Sequence, residues 1–223
     1  CAHEGFIASR QGLPMIPAIA ETVAIAKYIL MIEATGVKAH FGLLSCGASV
    51  ELIRAAKAKG LPITADVAMH QLHLTEQLTD GFNSLAHVRP PLRSEQDKEL
   101  LRQGVKDGVI DAICTHHEPL SSSAKMAPFA ETLSGITAFD TYVALGVQLV
   151  KEGIFEPLEW VEKVTLTPAV VANMAERWQQ EAGWVLVDPD LEWNVSKETI
   201  VSQGKNTPLL GQNLTGKVLH TFA

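Results

Sequence analysis

The sequence is poor in several residue types, and each shortage excludes a class of protein. Only three of its 223 residues are cysteines, which is too few and too scattered for a disulfide framework or a CxxC zinc knuckle. The formal net charge is -7 and no run is rich in lysine and arginine, which argues against nucleic acid as a partner. Charged residues or glycines interrupt every long apolar stretch, so no membrane span is predicted.

What is present is the composition of one globular core. Hydrophobic residues make up 47% of the chain and charged residues 19%, enough apolar material for a sizeable interior. Cys46 and Cys114 lie in or beside apolar runs and are predicted to be core thiols, which favours a reducing, cytoplasmic setting. No signal peptide is visible. The chain starts at Cys1 without an initiator methionine, which favours a fragment of a longer protein.

Predicted strands and helices alternate along most of the chain. Helical periodicity follows Pro17 up to a stop at Gly36, and further helices are predicted at 48–59, 94–107, 137–151 and 157–178. Apolar, β-branched runs predict strands at 37–45, 61–69 and 109–114. Residues 1–16 and 70–93 are predicted to be irregular. Such alternation indicates an α/β fold with a parallel sheet.

The last forty residues differ from the rest in character. Short β segments are predicted at 184–188 and 193–195, and residues 204–216 are rich in turn formers. We therefore expect a small β appendage to follow the strand–helix part of the chain.

The densest group of chemically active residues follows the third predicted strand. After the apolar run 109–114 the chain reads Thr115-His116-His117-Glu118-Pro119, and Pro119 ends any regular element there. A buried strand that ends in titratable residues and continues into a loop is how barrel enzymes build their active face.

Several motifs occur in an order that resembles a known family. They are HFGLLS at 40–45, ADVAMHQLHLT at 65–75, RPPLR at 89–93, THHEP at 115–119, GITAFDT at 135–141 and NTPLLG at 206–211. Together they resemble the C-terminal two-thirds of a dihydroorotase, a member of the amidohydrolase superfamily. The resemblance implies part of a TIM-like (β/α)8 barrel of the metal-dependent hydrolase type at 1–182 and a small β domain at 183–223.

Enzymes of that family reversibly close carbamoyl aspartate to dihydroorotate in pyrimidine synthesis, with one or two zinc ions that activate a water. This sequence departs from their pattern at several positions. A zinc-binding histidine is replaced by Leu43, and the catalytic aspartate by His116, whereas the zinc histidine at His70 is kept. The remaining pocket positions hold Arg89 in place of asparagine, Leu120 in place of histidine, and the retained Arg93, His117 and Gly135.

These departures leave three hypotheses. The first is a catalytically degenerate dihydroorotase-like subunit, with zinc absent or vestigial, that acts in an oligomer as a structural partner of the aspartate transcarbamoylase catalytic chain. The second is an active zinc-dependent cyclic-amide hydrolase, a dihydroorotase or an allantoinase-like enzyme, whose metal ligands would be His70 and His116 together with further ligands from a part of the protein that precedes Cys1. The third is a small-anion-binding module that retains the old pocket.

Simpler structural roles compete with these assignments. His116 and His117 are either a metal pair or hydrogen-bonded members of a polar pocket, and His70 is either a ligand or a hydrogen-bonded strand-end histidine. Arg89 and Arg93 suit an anion, although Arg93 equally suits a brace for the Pro-Pro loop. Other side chains are predicted to be structural: His73 and His87 at the surface or in loops, Lys125 in solvent, and Trp160, Trp178, Trp184 and Trp193 as core or interface anchors.

Overall fold

A computed structural model of the chain describes residues 1–181 and 183–222. Its helices are α1 (Phe6–Gln11), α2 (Ala18–Thr35), α3 (Gly47–Ala58), α4 (Glu95–Lys106), α5 (Phe139–Lys151), α6 (Pro157–Val164), α7 (Leu166–Val171) and α8 (Ala175–Glu181). Its strands are β1 (Ala2–His3), β2 (Met15–Ile16), β3 (Ala39–Phe41), β4 (Ile63–Ala68), β5 (Ala112–Cys114), β6 (Trp184–Asn194) and β7 (Asn213–Phe222). None of the helices in these two ranges is both long and apolar enough to cross a membrane.

The centre of the fold is a parallel sheet in the order β3–β4–β5. Alternate residues of β4 face opposite ways, so that Ala65 and Val67 are fully buried against the helices whereas Asp66 is only partly buried. Ile53 of α3 and Leu101 of α4 belong to the same buried cluster and have no exposed surface. The predicted α/β organisation with a parallel sheet is therefore confirmed, although all three strands are shorter than predicted.

The helix boundaries follow the local chemistry of the sequence. α2 begins at Ala18, with Pro17 as its N-cap and not, as predicted, its first helical residue. It ends, as predicted, at Gly36, whose φ of 69° places it in the left-handed region. The Ser94 hydroxyl accepts a hydrogen bond from the Asp97 amide at 3.1 Å and thereby caps α4. Gly36 thus marks where the chain leaves α2 toward β3, and Ser94 marks where α4 begins.

Two parts of the chain differ from the sequence-based expectation. Residues 1–16 are not all loop, because β1 and β2 pair in parallel around α1. The helical region predicted at 157–178 consists of three short helices, since the backbone leaves the helical region at Thr165 and turns left-handed at Asn173 with a φ of 55°.

The C-terminal residues form one long antiparallel hairpin. β6 is continuous where two short segments were predicted, and β7 begins at Asn213, within the stretch 204–216 that was predicted to be rich in turns. Gly216 permits close packing on α5, because an added Cβ would lie 2.9 Å from Val147 side-chain atoms. The division into parts 1–182 and 183–223 stays a prediction, and its boundary residue 182 and last residue 223 lie outside the described residues.

One side of the central sheet borders an apolar groove. Among the described strands, β3 pairs only with β4. A cavity of about 690 Å³ lies between β3 and α2, lined by residues such as Tyr28, Ile32 and Phe41. α2 also carries exposed apolar residues, including Val23 and Leu30, on the face away from its buried side.

Candidate functional site at the strand ends

Two histidines meet where β4 and β5 end. His70 lies in a single 3-10 turn directly after β4 and is buried, with neither ring nitrogen exposed or hydrogen bonded. His116 follows β5, and its ring stacks on that of His70 with centroids 5.4 Å apart. Nδ1 of His116 is likewise buried and without a partner. The pair thus presents buried nitrogen atoms that no group within residues 1–181 and 183–222 satisfies.

Burial also determines the charge of His70. Loss of solvation, with a smaller contribution from His116, lowers the pKa of His70 from its ordinary value to about 3. His70 is therefore neutral at physiological pH and keeps one unprotonated ring nitrogen. That nitrogen suits a metal or the hydrogen of a ligand donor group.

The donor set around this pair does not fit a complete zinc centre. A catalytic zinc takes three protein ligands and a water. Within residues 1–181 and 183–222, no group of three or more histidine, cysteine, aspartate or glutamate side chains is arranged to hold a metal ion. The described residues offer two imidazoles, and Leu43 has no donor atom.

Leu43 occupies the position after β3 in an unusual backbone conformation. Its φ is 60°, and its amide donates to Oδ1 of Asp66 at 2.8 Å. The Leu43 residue contributes to the lining of the apolar groove beside α2. An aliphatic side chain therefore stands at the strand end where the family resemblance places a ligand.

Asp66 joins all three strands and was not singled out by the sequence. Its Oδ2 lies 2.7 Å from Nε2 of His40 on β3, and the Cys114 thiol of β5 donates to Oδ1 at 3.4 Å. Burial and the Asp66 carboxylate raise the pKa of the Cys114 thiol, so it stays protonated. The available signal was the strand alternation, which gives His40, Asp66 and Cys114 side chains on one face of the sheet.

His117 caps a helix. Its Nδ1 accepts hydrogen bonds from the amides of Ala138 and Phe139, at 3.0 and 3.1 Å, at the beginning of α5. The ring also stacks on Phe139 with centroids 4.1 Å apart. Burial lowers the pKa of His117, although Asp140 partly opposes this, and the neutral ring is the form that can accept from both amides. One ring nitrogen is thus committed to the fold.

Leu120 and Gly135 take part in a group of contacts with Asn206 and Glu118 that holds the segment after β5 in place. The Leu120 amide donates to Oδ1 of Asn206 at 2.6 Å, and Nδ2 of Asn206 donates to the Glu118 carbonyl at 3.0 Å. Gly135 has a φ of 144°, and an added Cβ there would lie 3.0 Å from the Glu118 carbonyl. Asn206 had been noticed only as part of a motif, and its bracing role needs tertiary contacts to be seen.

The two arginines of the Pro-Pro segment lie in different environments. Arg93 is buried, and its guanidinium donates to the Ser45 hydroxyl at 3.0 Å and to the Ile16 carbonyl at 2.6 Å. Its remaining terminal nitrogen lies 3.8 Å from the Glu21 carboxylate. Arg89 is exposed, and no ion pair to it occurs within the described part of the chain. The bracing role considered for Arg93 matches these contacts.

One expectation about solvent exposure is wrong, and another is confirmed only in part. Lys125 does not point to solvent, because its amine is buried and donates to the carbonyls of His87 and Leu133. His87 lies in a loop, as expected, but it is buried and not at the surface, with Nδ1 2.7 Å from the Thr132 hydroxyl. The partners of the Lys125 amine and of His87 Nδ1 lie in loops whose path the sequence does not reveal.

Comparison with known proteins places this arrangement in a family. No protein-family model matches the chain. It is 43% identical over 224 residues to a dihydroorotase-like protein of Pseudomonas aeruginosa, covering 99% of this chain and 53% of the relative. The chain is dihydroorotase-like. It is also 36% identical over 223 residues to a dihydroorotase of Syntrophus aciditrophicus, covering 99% of this dihydroorotase-like chain and 52% of the relative.

Solved structures agree on the fold. A D-hydantoinase from Bacillus sp. AR9 superposes with a TM-score of 0.82 at 21% identity, over 93% of this chain and 48% of that one. The inactive dihydroorotase-like domain of a Chaetomium thermophilum CAD-like multifunctional protein matches with a TM-score of 0.64 at 18% identity, over 89% and 53%. The dihydroorotase-like chain therefore has part of the TIM-like barrel fold, and it spans about half the length of the curated relatives it matches.

Proposed function

We propose that this dihydroorotase-like chain is part of a catalytically degenerate protein of pyrimidine biosynthesis that acts as a structural partner of the aspartate transcarbamoylase catalytic chain. The observation that carries the proposal is the set of side chains at the strand ends within residues 1–181 and 183–222. Among these residues the imidazoles of His70 and His116 lie together, and Leu43 has no donor atom at a position where the family resemblance places a ligand. His116 also supplies an imidazole where proton transfer in the family uses a carboxylate.

Two further observations support this reading. The retained pocket residues are engaged in holding the fold, since His117 caps α5 and Arg93 is bonded internally. The Chaetomium thermophilum neighbour is described as inactive and dihydroorotase-like, although its likeness is one of fold. A partner that binds only the folded enzyme raises its stability by mass action, which gives an inactive subunit a physical role.

The free thiols of Cys46 and Cys114 favour a cytoplasmic setting.

Metal analysis and turnover of the purified protein test the loss of catalysis. We expect less than about 0.1 equivalent of zinc after dialysis and no hydrolysis of dihydroorotate above the buffer rate. Zinc at one equivalent or more together with turnover would show that the protein is active.

Mixing the purified protein with an aspartate transcarbamoylase catalytic chain tests the partnership. We expect a co-eluting complex and a higher melting temperature for that chain, and separate elution would contradict the partnership.

The second candidate is an active zinc-dependent cyclic-amide hydrolase, and one observation favours it. The buried nitrogens of His70 and His116 lack partners, which is the state expected of ligands whose ion is absent. On this alternative, His70→Ala would abolish zinc binding and turnover together. The anion-binding alternative is weaker, because Arg93 is already occupied and only Arg89 is exposed.

A further inference from the structure

Helix α2 is apolar on two exposed faces. One face lines the groove beside β3, and the other, here called the outer stripe, consists of Ile19, Val23, Ala26 and Leu30, none of which lines that groove. The three large side chains of the stripe are 65%, 60% and 66% exposed. At about 100° per residue, the stripe lies about 120° around the helix from its buried face, and the groove face lies about 100° in the opposite direction. The outer stripe therefore faces away from the strands.

The outer stripe differs from the exposed faces of the neighbouring helices. The exposed positions of α4 include Glu95, Glu99 and Gln103, and those of α3 include Glu51. A helix that packs one face on a core normally presents polar side chains to water on the other face. Three large aliphatic side chains occupy that place on α2, and a contiguous exposed apolar surface of this kind marks a site of protein association.

The spacing of the stripe is that of paired helices. Its residues follow one another at intervals of four, three and four, the heptad spacing that keeps one seam of a helix facing a second helix. The next position of that spacing is Glu33, whose carboxylate lies 3.3 Å from the Lys59 amine of α3. The apolar seam thus covers about the first three turns of α2 and ends there.

The outer stripe is complementary to itself. When two copies of α2 lie antiparallel about a two-fold axis, Ile19 opposes Leu30 of the second copy, and Val23 opposes Ala26 of the second copy. Symmetry repeats each of these contacts, because the same patch serves both copies. Large residues then meet at both ends of the seam, and the small side chain of Ala26 makes room for Val23 near its centre.

Charge favours the antiparallel arrangement over a parallel one. In the antiparallel pair Lys27, which lies beside the stripe, faces the uncharged Thr22 of the second copy. In a parallel pair each residue of the seam meets its own copy, so Ala26 would leave a gap opposite another alanine, and two Glu33 carboxylates would repel each other. The stripe therefore fits a second copy in one orientation.

We propose that the outer stripe of α2 is the surface through which two copies of this protein associate, as an antiparallel helix pair about a two-fold axis. A second copy accounts both for the exposed side chains and for the symmetry of their spacing. The proposal depends neither on the loss of catalysis nor on the transcarbamoylase partnership.

The size of the seam determines the expected strength of the dimer. Residues 19–30 extend over about 18 Å of helix, so a contact of this one helix pair is smaller than a standard interface, which buries about 1,600 Å² in total. We therefore expect a reversible dimer with a dissociation constant on the order of 10 µM.

Sedimentation of the purified protein at about 1–100 µM tests the association, and we expect a shift from monomer to dimer across this range. Leu30→Glu should raise the dissociation constant at least about tenfold, because a carboxylate in the seam would lose its hydration. Met31→Glu is the matched control. It introduces the same charge at the next residue, which is 50% exposed on the groove face, and should change the constant by less than about twofold.

A charge-swap variant tests the orientation. Ile19→Lys alone should also weaken the dimer, whereas Ile19→Lys combined with Leu30→Glu in one chain should dimerise more tightly than either single variant. The two positions are about 17 Å apart along the same helix, so the introduced charges cannot pair within one copy. They meet across the antiparallel pair, where opposite charges attract each other.

Three results of these measurements would contradict the proposal. A protein that stays monomeric at about 100 µM lacks the interface. A dimer that is weakened by Met31→Glu and not by Leu30→Glu associates through the groove. A double variant that is no tighter than the single ones excludes the antiparallel pair. If circular dichroism shows that Leu30→Glu is unfolded, Val23→Asn takes its place with the same expected weakening.

The transcarbamoylase chain is the competing occupant of this surface. A protein that is monomeric on its own, and that loses co-elution with an aspartate transcarbamoylase catalytic chain in Leu30→Glu but not in Met31→Glu, would assign the outer stripe to that chain. The proposal of a second copy would then be wrong.

Discussion

Substitution of Arg93 distinguishes most clearly between a structural and a ligand-binding role for a residue of the pocket. Its buried guanidinium contacts the Ser45 hydroxyl, the Ile16 carbonyl and the Glu21 carboxylate. These partners lie on three separate segments, around β2, at the start of α2 and after β3. Removing the guanidinium therefore removes the contacts through which Arg93 joins these three segments.

The size of the expected loss of stability follows from the burial of both partners, Arg93 and Glu21. The Arg93 side chain is 2% exposed and that of Glu21 16% exposed, so Arg93→Met leaves a carboxylate with little access to water. Breaking a buried pair by removing one partner costs about 3–5 kcal/mol. Glu21 keeps the Ser45 amide, which donates to it at 3.0 Å, so we expect the lower end, about 3 kcal/mol.

Urea unfolding of the purified protein measures this cost. Arg10→Met is the control, because Arg10 and Asp80 form an exposed pair and its loss should cost less than about 1 kcal/mol. The double variant Glu21→Gln with Arg93→Met should be more stable than Arg93→Met alone, because no buried charge is left unpaired. A loss below about 1 kcal/mol in Arg93→Met, together with weaker binding of a small dicarboxylate, would refute the structural assignment.

Three further predictions concern the segment after β5. Asn206→Ala should destabilise the protein by about 2 kcal/mol or more in urea, because the Leu120 amide and the Glu118 carbonyl lose their partner. Gly204→Ala should cost about 1–3 kcal/mol in the same assay, since its Cβ would lie 2.5 Å from the Leu120 amide nitrogen, and a neutral result would mean that the segment shifts freely. Burial lowers the pKa of Lys125 from 10.5 to about 8, so the unfolded chain binds more protons between those values and stability should rise with pH there relative to Lys125→Met. A constant difference between pH 7.5 and pH 10 would contradict that burial.

Short-range features of the sequence were enough to predict the ends of two helices and the parallel sheet. Pro17 and Gly36 bound α2, and Ser94 caps α4, because each acts on the backbone groups nearest to it. The strand–helix alternation gave the parallel sheet, since parallel neighbours need helical crossovers between them. These features required no knowledge of distant contacts.

The missed features all depend on tertiary contacts. The beginning of β7 falls in the stretch 204–216 that was predicted to be rich in turns, yet Gly216 lies in the strand, where Val147 of α5 approaches too closely for a side chain. Lys125 looked like a surface lysine because its two carbonyl partners belong to His87 and Leu133, neither of which the sequence places near it. At the site, the sequence shows which residue types occupy positions 43, 70 and 116, but it does not show that His117 caps α5.

The backbone around the two altered positions bears on how catalysis would have been lost. Leu43 and His116 have φ values of 60° and 47°, a left-handed conformation that costs a residue with a Cβ about 1–2 kcal/mol. Leucine gains nothing from this conformation, which persists because Asp66 accepts from the amides of Leu43 and Leu44, at 2.8 and 3.0 Å. The surrounding fold therefore imposes the backbone at residue 43, whatever side chain it carries. The proposed loss of catalysis therefore requires an exchange of side chains at residues 43 and 116 and no change of this backbone.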